Sequence, residues 1–497
     1  MAYNVFMLID FWTFFGKVSL VVYAVAVFLV AVFGLLQVQL LVFYLLRKRN
    51  QPKRSNPQEA PLVTVQLPIY NELYVAERLI DQVVKIDYPK LEIQVLDDST
   101  DETRQLIAQK VRQYQSKGVD IVHIHRTGRN GYKAGALEDA LPSAKGEFIA
   151  IFDADFMPRA DFLRKLMPRF NDEKIGVIQT RWEHLNEKDG LLTRVQALLL
   201  NIHFIIEQVG RMQGQLFLQF NGTGGIWRKA TIVDAGGWRA DTLTEDLDLS
   251  YRAQLKGWKI RYYSDVGAPA ELPADIYGLK SQQYRWMKGG AETTKLLLKP
   301  LWQSQQRLPV KIQGTAHLLT SSVFVAIAVA TIFSVPASYS GIPFPKAIPL
   351  APISFLALMG LSMNYFIANM PYAKMNGSAP IRFLKLLFFF PIFMALSLGM
   401  SFHNAYAVLK GYFGQSSEFV RTPKFGLNSK SSSLRKKAYF TAKFDKIVVF
   451  EGLLAVFFAF GLVHSLQMHQ YGFVFFHGVL MLGYGLVFFF SVRDGIH

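Results

Sequence analysis

The feature that most constrains this chain is an uncharged apolar run at residues 18–46, whose most polar members are Gln37 and Gln39. It is followed at once by the basic stretch RKRNQPKR at 47–54. Such a run is long enough to span a bilayer with some tilt. It exceeds the core of a signal peptide, and no small-residue cleavage site follows it. Basic residues on one flank favour the cytoplasm for that flank. The N-terminus is therefore expected outside the cell membrane and the residues after 54 inside.

Apolar segments of spanning length return at 318–336, 348–370, 386–408, 447–466 and 473–492. Between them, the loop 371–385 carries Lys374, Arg382 and Lys385, and the loop 409–446 carries Arg421, Lys424, Lys430, Arg435, Lys436 and Lys437. Both basic loops favour the cytoplasm, yet one spanning helix between them would separate them. The expected resolution is that 386–408 lies in the interface or re-enters, leaving five spans. The loops 338–345 and 464–471 carry almost no charge, as outer loops should. Hydrophobic residues make up 51% of the chain and charged ones 18%, which excludes a disordered chain and fits a multi-pass membrane protein with a soluble part. The formal charge of +17 is concentrated beside apolar runs, so the lipid bilayer, not nucleic acid, is the expected partner of these charges. Cysteine is absent, which excludes disulfides, thiolate metal sites and a cysteine nucleophile.

Between 61 and 302 the pattern changes. Strand-like runs at 62–70, 91–99, 119–126, 147–155 and 175–182 alternate with helical ones at 74–84, 103–117 and 133–141. This alternation predicts an α/β domain with a parallel sheet and crossover helices. No GxGxxG follows the first strand, so a dinucleotide site is not expected. The resulting organisation is residues 1–54 as a transmembrane helix with its basic run, 55–308 as a cytoplasmic catalytic domain, and 309–497 as a helical membrane domain.

Polar residues gather at the expected strand ends, where ligands of open α/β sheets bind. Phe148–Arg159 is a buried strand ending in Asp153 and Asp155, two hard-oxygen carboxylates suited to Mg2+ or Mn2+ on a diphosphate. The first strand ends in Pro68, Tyr70 and Glu72, the second in Asp97 and Asp98; a carboxylate here can accept from a base N–H, and an aromatic ring can stack on the base. Arg126, Arg129 and Lys133 join glycines ahead of a helix, a setting that favours phosphate. Glu245 and Asp246 open an amphipathic helix and offer a general base. Gln282, Arg285 and Trp286 share one helical face, with Arg for a diphosphate and Trp for a sugar face. Phe220, Asn221, Gly222 and Thr223 begin a glycine-dense turn that suits a polyhydroxyl groove.

Taken in order, DDS, KAG, DAD, TED and QQYRW, followed by membrane helices, resemble the family-2 membrane glycosyltransferases with their D, DxD, TED, QxxRW signature. The resemblance covers roughly residues 60–440. It is nearest to the cellulose-synthase-like mannan, glucomannan and xyloglucan-backbone synthases through IFDADF, FNGTGGIWR and QQYRW. It implies a GT-A-like nucleotide-sugar domain that transfers glucose or mannose, with inversion, from UDP-glucose or GDP-mannose to a growing β-glycan passed through the protein's own helices. It assigns Asp97 or Asp98 to the base, Glu72 and Lys133 to the nucleotide, and Asp153 and Asp155 to the metal and diphosphate. Asp246 becomes the base, Gln282, Arg285 and Trp286 hold diphosphate and acceptor sugar, and Phe220–Thr223 border the acceptor. Phe419, Thr422 and Lys424 match a gating loop of the FxVTxK type within 411–446, with Arg421 in place of Val. Accessory export proteins leave no mark in the sequence. Transfer of one sugar to a membrane lipid is the alternative activity. A transporter without catalysis is less favoured, because the acids lie in the soluble part and the spans have few polar residues.

Overall fold

The computed structural model describes residues 2–47, 60–340, 342, 351–372, 375–414 and 446–495. The gating-type residues Phe419, Thr422 and Lys424 lie outside them. The α/β layer is built on a seven-stranded sheet: β1 Val63–Ile69, β2 Leu91–Asp97, β3 Ile121–His125, β4 Phe148–Ile151, β5 Ile175–His184, β6 Gly225–Arg228 and β7 Lys259–Ala270. The order across the sheet is β3-β2-β1-β4-β6-β5-β7. β1 to β4 pair in parallel, and β5 pairs β7 in parallel. β6 runs antiparallel to both β4 and β5. The sheet is therefore mixed, which corrects the expectation of a parallel one. A short return strand wedges between β4 and β5, and its four residues are too few for a periodic signal.

Both faces of the sheet are covered: β4 reads as a continuous apolar run, while β1 and β2 alternate apolar residues with Thr64, Gln66, Glu92 and Gln94, which are buried by pairing across the two strands. Phe148, Ala150 and Phe152 point into a core shared with Leu79, Ile80, Ile107 and Val111 of the helices Ala76–Val83 and Thr103–Gln115. Ile149 and Ile151 point the other way, toward Ala136 and Leu137 of the helix Tyr132–Ala140. This period-two alternation leaves the carboxyl ends of β1, β2 and β4 side by side, each running straight into its polar residues.

Six helices are long and apolar enough to cross a membrane among the described residues. They are the N-terminal helix Ala2–Leu45, Val323–Ala337 with its short continuation, Ala351–Tyr372, the pair Ala379–Gly399 and Ser401–Phe413, Lys446–Gln467, and Tyr471–Gly495. The segment expected to lie in the interface is thus part of a longer element broken at Met400. Its second half lies along the helix Ile276–Gln303: Gly411 faces the Lys288 carbonyl and the Ala291 methyl so closely that no side chain fits between them.

Ile276–Gln303 joins the two layers. Asp275 caps it by accepting from the Gly278 N–H at 2.8 Å. The Asp494 carboxylate accepts from the Ile276 N–H at 2.9 Å, and Tyr277 donates to the Ser491 carbonyl at 2.9 Å. One turn on, the buried Lys280 ammonium lies 2.5 Å from Glu451 and 2.8 Å from the Ser491 hydroxyl, which itself donates to Glu451. Removing one member of a buried pair strands the other charge, at a cost of about 3–5 kcal/mol, whereas removing both is often neutral. Glu451→Gln is expected to lower the thermal midpoint of the detergent-solubilised protein by several degrees, and the double variant Lys280→Met, Glu451→Met to recover most of that loss.

Candidate active site

The sheet edge, the N-terminus of the helix Glu245–Leu255 and one face of Ile276–Gln303 enclose a cavity of about 1140 Å³. From β1 come Pro68, Tyr70 and Glu72, from β2 Asp98, and from β4 Asp153 and Asp155. Lys133, Asn221, Gly222, Glu245, Asp246, Gln282, Arg285 and Trp286 complete this end. The cavity continues between the membrane helices, past Tyr23, Val27, Phe324, Phe355, Phe393 and Phe476.

Three residues expected in the site stand behind it. Asp97 is fully buried and outside the lining: its Oδ2 faces His123 Nε2 at 2.8 Å and His125 Nδ1 at 3.3 Å, and its Oδ1 accepts from the Ser99 N–H. These three groups are close enough to surround a cation, but their hydrogen bonds already tie the ends of β2 and β3 together. Burial opposes the Asp97 charge, and the hydrogen bonds from His123 and Ser99 outweigh it, holding this carboxyl below its usual range. Consecutive residues at a strand end point opposite ways, so only Asp98 reaches the cavity. Phe220 is fully buried against Trp227. Thr223 is also buried; its hydroxyl accepts from the Asp153 N–H at 2.9 Å and so shapes the turn instead of touching a ligand. Of the phosphate-type cations, Arg126 is a brace, gripping Asp98 through two nitrogens and Asp139 through a third. Arg129 stacks on the Tyr70 ring at 3.4 Å, and Lys133 enters the cavity.

The electrostatics are those of an acid cluster answered by two half-buried cations, Lys133 and Arg285. Lys133 Nζ lies 2.6 Å from Asp153 Oδ1 and 2.9 Å from the Gly222 carbonyl. Burial disfavours its charge, but Asp153, Glu245 and Asp246 more than compensate and raise its pKa. Arg285 is pulled down by burial and supported by Asp153, Glu245, Asp155 and Glu72. Burial, and then the neighbouring Glu245 charge, push the Asp246 carboxyl up to about 7; Glu245 is raised as well, chiefly by burial. Asp153 and Asp155 offer hard oxygens into one cavity, and Asp153 already holds a positive charge. This donor set fits a divalent cation such as Mg2+ or Mn2+.

Residues 60–289 match the family model described as glycosyltransferase-like family 2. Glucomannan 4-beta-mannosyltransferase 2 of Arabidopsis thaliana is 35% identical over 375 residues, covering 74% of this chain and 68% of its own length. Glucomannan 4-beta-mannosyltransferase 1 of Oryza sativa subsp. japonica is 33% identical over 415 residues, covering 81% and 77%. Against a probable glucomannan 4-beta-mannosyltransferase 2 of the same rice, the chain is 35% identical and spans 63% of the relative's length. The chain belongs to the family-2 glycosyltransferases, among their cellulose-synthase-like members. Its fold also aligns with PcManGT, a mannosyltransferase from Pyrobaculum calidifontis solved in complex with GDP-Man and Mn2+, at a TM-score of 0.55 and 20% identity. That alignment covers 81% of this chain and 100% of the other.

Sequence reasoning missed His203 and Glu207, which line the cavity beside Asn221. The available signal was a histidine and an acid four residues apart inside the apolar run NIHFIIEQ, a spacing that puts both on one helical face. Gly222 has φ +78°, and a β-carbon there would sit 3.2 Å from Asp246 Oδ2 and 3.5 Å from Lys133 Nζ. Gly222→Ala is expected to cost about 1 kcal/mol or more in stability and to lower the sugar-transfer rate at least tenfold, the two being separated by a thermal melt and a nucleotide-release assay.

Proposed function

We propose that the protein is an inverting, processive glycosyltransferase that extends a β-mannan or glucomannan-type chain from GDP-mannose, with UDP-glucose as the competing donor, and passes the product between its membrane helices. The observation that carries this reading is the single cavity, which holds the acids, the raised Asp246 and the aromatic face of Trp286 at one end and runs among the membrane helices at the other. The relatives' mannosyltransferase names support mannose as the sugar.

On this reading Asp98, Pro68 and Tyr70 border the base, with Glu72 and Lys133 along the nucleotide. Asp153 and Asp155 would hold the cation, which supplies charge neutralisation for the departing diphosphate. Arg285 and Gln282 steady the same phosphates, and Arg285, lying among four carboxylates, remains cationic because they surround it. The acceptor sugar rests on Trp286 against Asn221 and Gly222, which puts its hydroxyl beside Asp246. Asp246 takes the hydroxyl proton as that oxygen bonds to the anomeric carbon and the bond from that carbon to the diphosphate breaks. Attack from the face opposite the leaving group inverts the centre, and no covalent enzyme intermediate is needed. The catalytic layer faces the cytoplasm, where nucleotide sugars are, with the N-terminus outside and residues 55–308 as the catalytic unit.

The apolar lining between the membrane helices favours one second reading, transfer of a single sugar to a membrane lipid. Purified protein supplied with GDP-mannose or UDP-glucose is expected to yield polymer digestible by a β-mannanase or β-glucanase; a lone glycolipid product would overturn processivity. Chelation by EDTA is expected to abolish transfer, and Mn2+ or Mg2+ to restore it in wild type but not in Asp155→Asn. A base must be ionised to act, and the Asp246 carboxyl is raised, so kcat/KM is expected to fall about tenfold per pH unit below about 7. Asp246→Asn is expected to lower the rate by about 10²–10⁴ and to remove this limb of the pH profile.

A further inference from the structure

The helix that runs over the cavity from Leu191 to Gln213 is interrupted by a π-helical turn, Ile202–Glu207. Such turns add a residue to the helical repeat and re-aim side chains, and they recur at functional sites. This one brings His203 and Glu207 onto the cavity wall next to Asn221 and Gly222.

The orientation of each polar group there follows from its partners. Gln208 Nε2 faces the Gln219 carbonyl at 3.0 Å and Asn221 Oδ1 at 2.8 Å; both accept, so this atom is the amide nitrogen. Asn221 Oδ1 is thereby fixed as the acceptor, and Asn221 Nδ2 donates to His203 Nε2 at 3.0 Å. His203 Nε2 must then carry no proton. Its Nδ1–H donates to Glu207 Oε2 at 2.8 Å. Burial works against the Glu207 charge, but the bond from His203 overcomes it and keeps the carboxyl below its usual range. The far side of Asn221 is held too, since its N–H donates to Gln179 Oε1 at 2.8 Å. The relay ends on a turn whose next residue, Gly222, bonds Lys133 and abuts Asp246.

We propose that His203, oriented by Glu207, is a positioning residue for the acceptor: through its bare Nε2 it sets Asn221, and with it the turn against which the acceptor hydroxyl meets Asp246. The proposal rests on the reading of this cavity as a sugar-transfer site. Its effect is read on the acceptor, because Pro68, Tyr70 and Asp98, which border the donor's base, reach the cavity from other strand ends; Asp153 does meet the turn, through Lys133 and the Thr223 hydroxyl.

Two near-isosteric variants separate the roles of the two ring nitrogens. In His203→Gln the amide oxygen replaces Nε2 as the acceptor for Asn221. In His203→Asn the amide replaces the Nδ1 donor to Glu207 but removes the acceptor that Asn221 Nδ2 bonds. The readout is the number of sugars incorporated per nucleotide released, measured on the full-length protein in detergent with radiolabelled GDP-mannose or UDP-glucose. A misplaced acceptor lets water attack the anomeric carbon instead, so nucleotide is released without chain growth. His203→Asn is expected to lower the coupling ratio at least fivefold with the donor KM within twofold of wild type. His203→Gln is expected to stay within about twofold of wild type in both. The proposal is overturned if His203→Asn remains as coupled as wild type, or if both variants lose coupling and donor affinity alike, which a merely structural role would produce. If wild type releases nucleotide from neither donor, the parent reading fails, a result distinct from either of these.

Discussion

The buried ion pair between Lys280 and Glu451 is the constraint on which the rest of the structure depends. It sits where the α/β layer meets helices long enough to cross a membrane, and it fixes the start of a helix that serves both. Two turns or less beyond it, the same helix presents Gln282, Arg285 and Trp286 to the cavity. An α-helix is stiff over that distance, so anchoring Lys280 sets the height and rotation of those three side chains. The Asp494 carboxylate on the first backbone N–H and the Tyr277 hydroxyl on the Ser491 carbonyl add directional bonds to the same joint. The ion pair contributes position more than energy, since desolvation offsets much of its attraction.

Inside the cavity the balance of charge works the same way. Glu72, Asp153, Asp155, Glu245 and Asp246 share one concave wall, with Lys133 and Arg285 among them and Arg129 stacked on Tyr70 at its edge. Such an excess of acid is tolerable when some carboxyls take up protons or a cation arrives. The raised Asp246 and Glu245 are the first response, and the geometry of Asp153 and Asp155 suits the second. A divalent ion at the two strand-end acids would free Lys133 to meet phosphate.

Much of this was legible in the sequence, and the parts that were not have physical reasons. β4 announces itself as an unbroken apolar run and β1 and β2 as apolar residues alternating with Thr64, Gln66, Glu92 and Gln94, and all three stop at polar turns. β6 is four residues inside a glycine-rich segment, and β7 opens with charges around two adjacent tyrosines and ends in GAPA, so neither carries a pattern of its own. Asp97 and Asp98 look equivalent as letters, yet the pleat sends one into a histidine pair and the other into the cavity. The same holds for Asn221 and Gly222 against their buried neighbours Phe220 and Thr223. His203 and Glu207 were hidden because the surrounding run is apolar enough to read as core, and because a π-turn shifts the helical register that a 3.6-residue period assumes.

The continuity of the cavity has one more consequence, concerning how the two products part. Its mouth is lined by ionised groups, while the stretch between the membrane helices is walled by tyrosine, phenylalanine and aliphatic side chains. A nucleoside diphosphate, multiply anionic, faces a steep solvation barrier in that inner stretch. A neutral glycan has no net charge to desolvate, and the few polar side chains there, Gln37, Ser354 and Asn364, offer partners to its hydroxyls. On the proposed processive reading the wall would therefore sort the products: the charged by-product would leave by the mouth through which the donor enters, and the uncharged chain would be the species able to move inward.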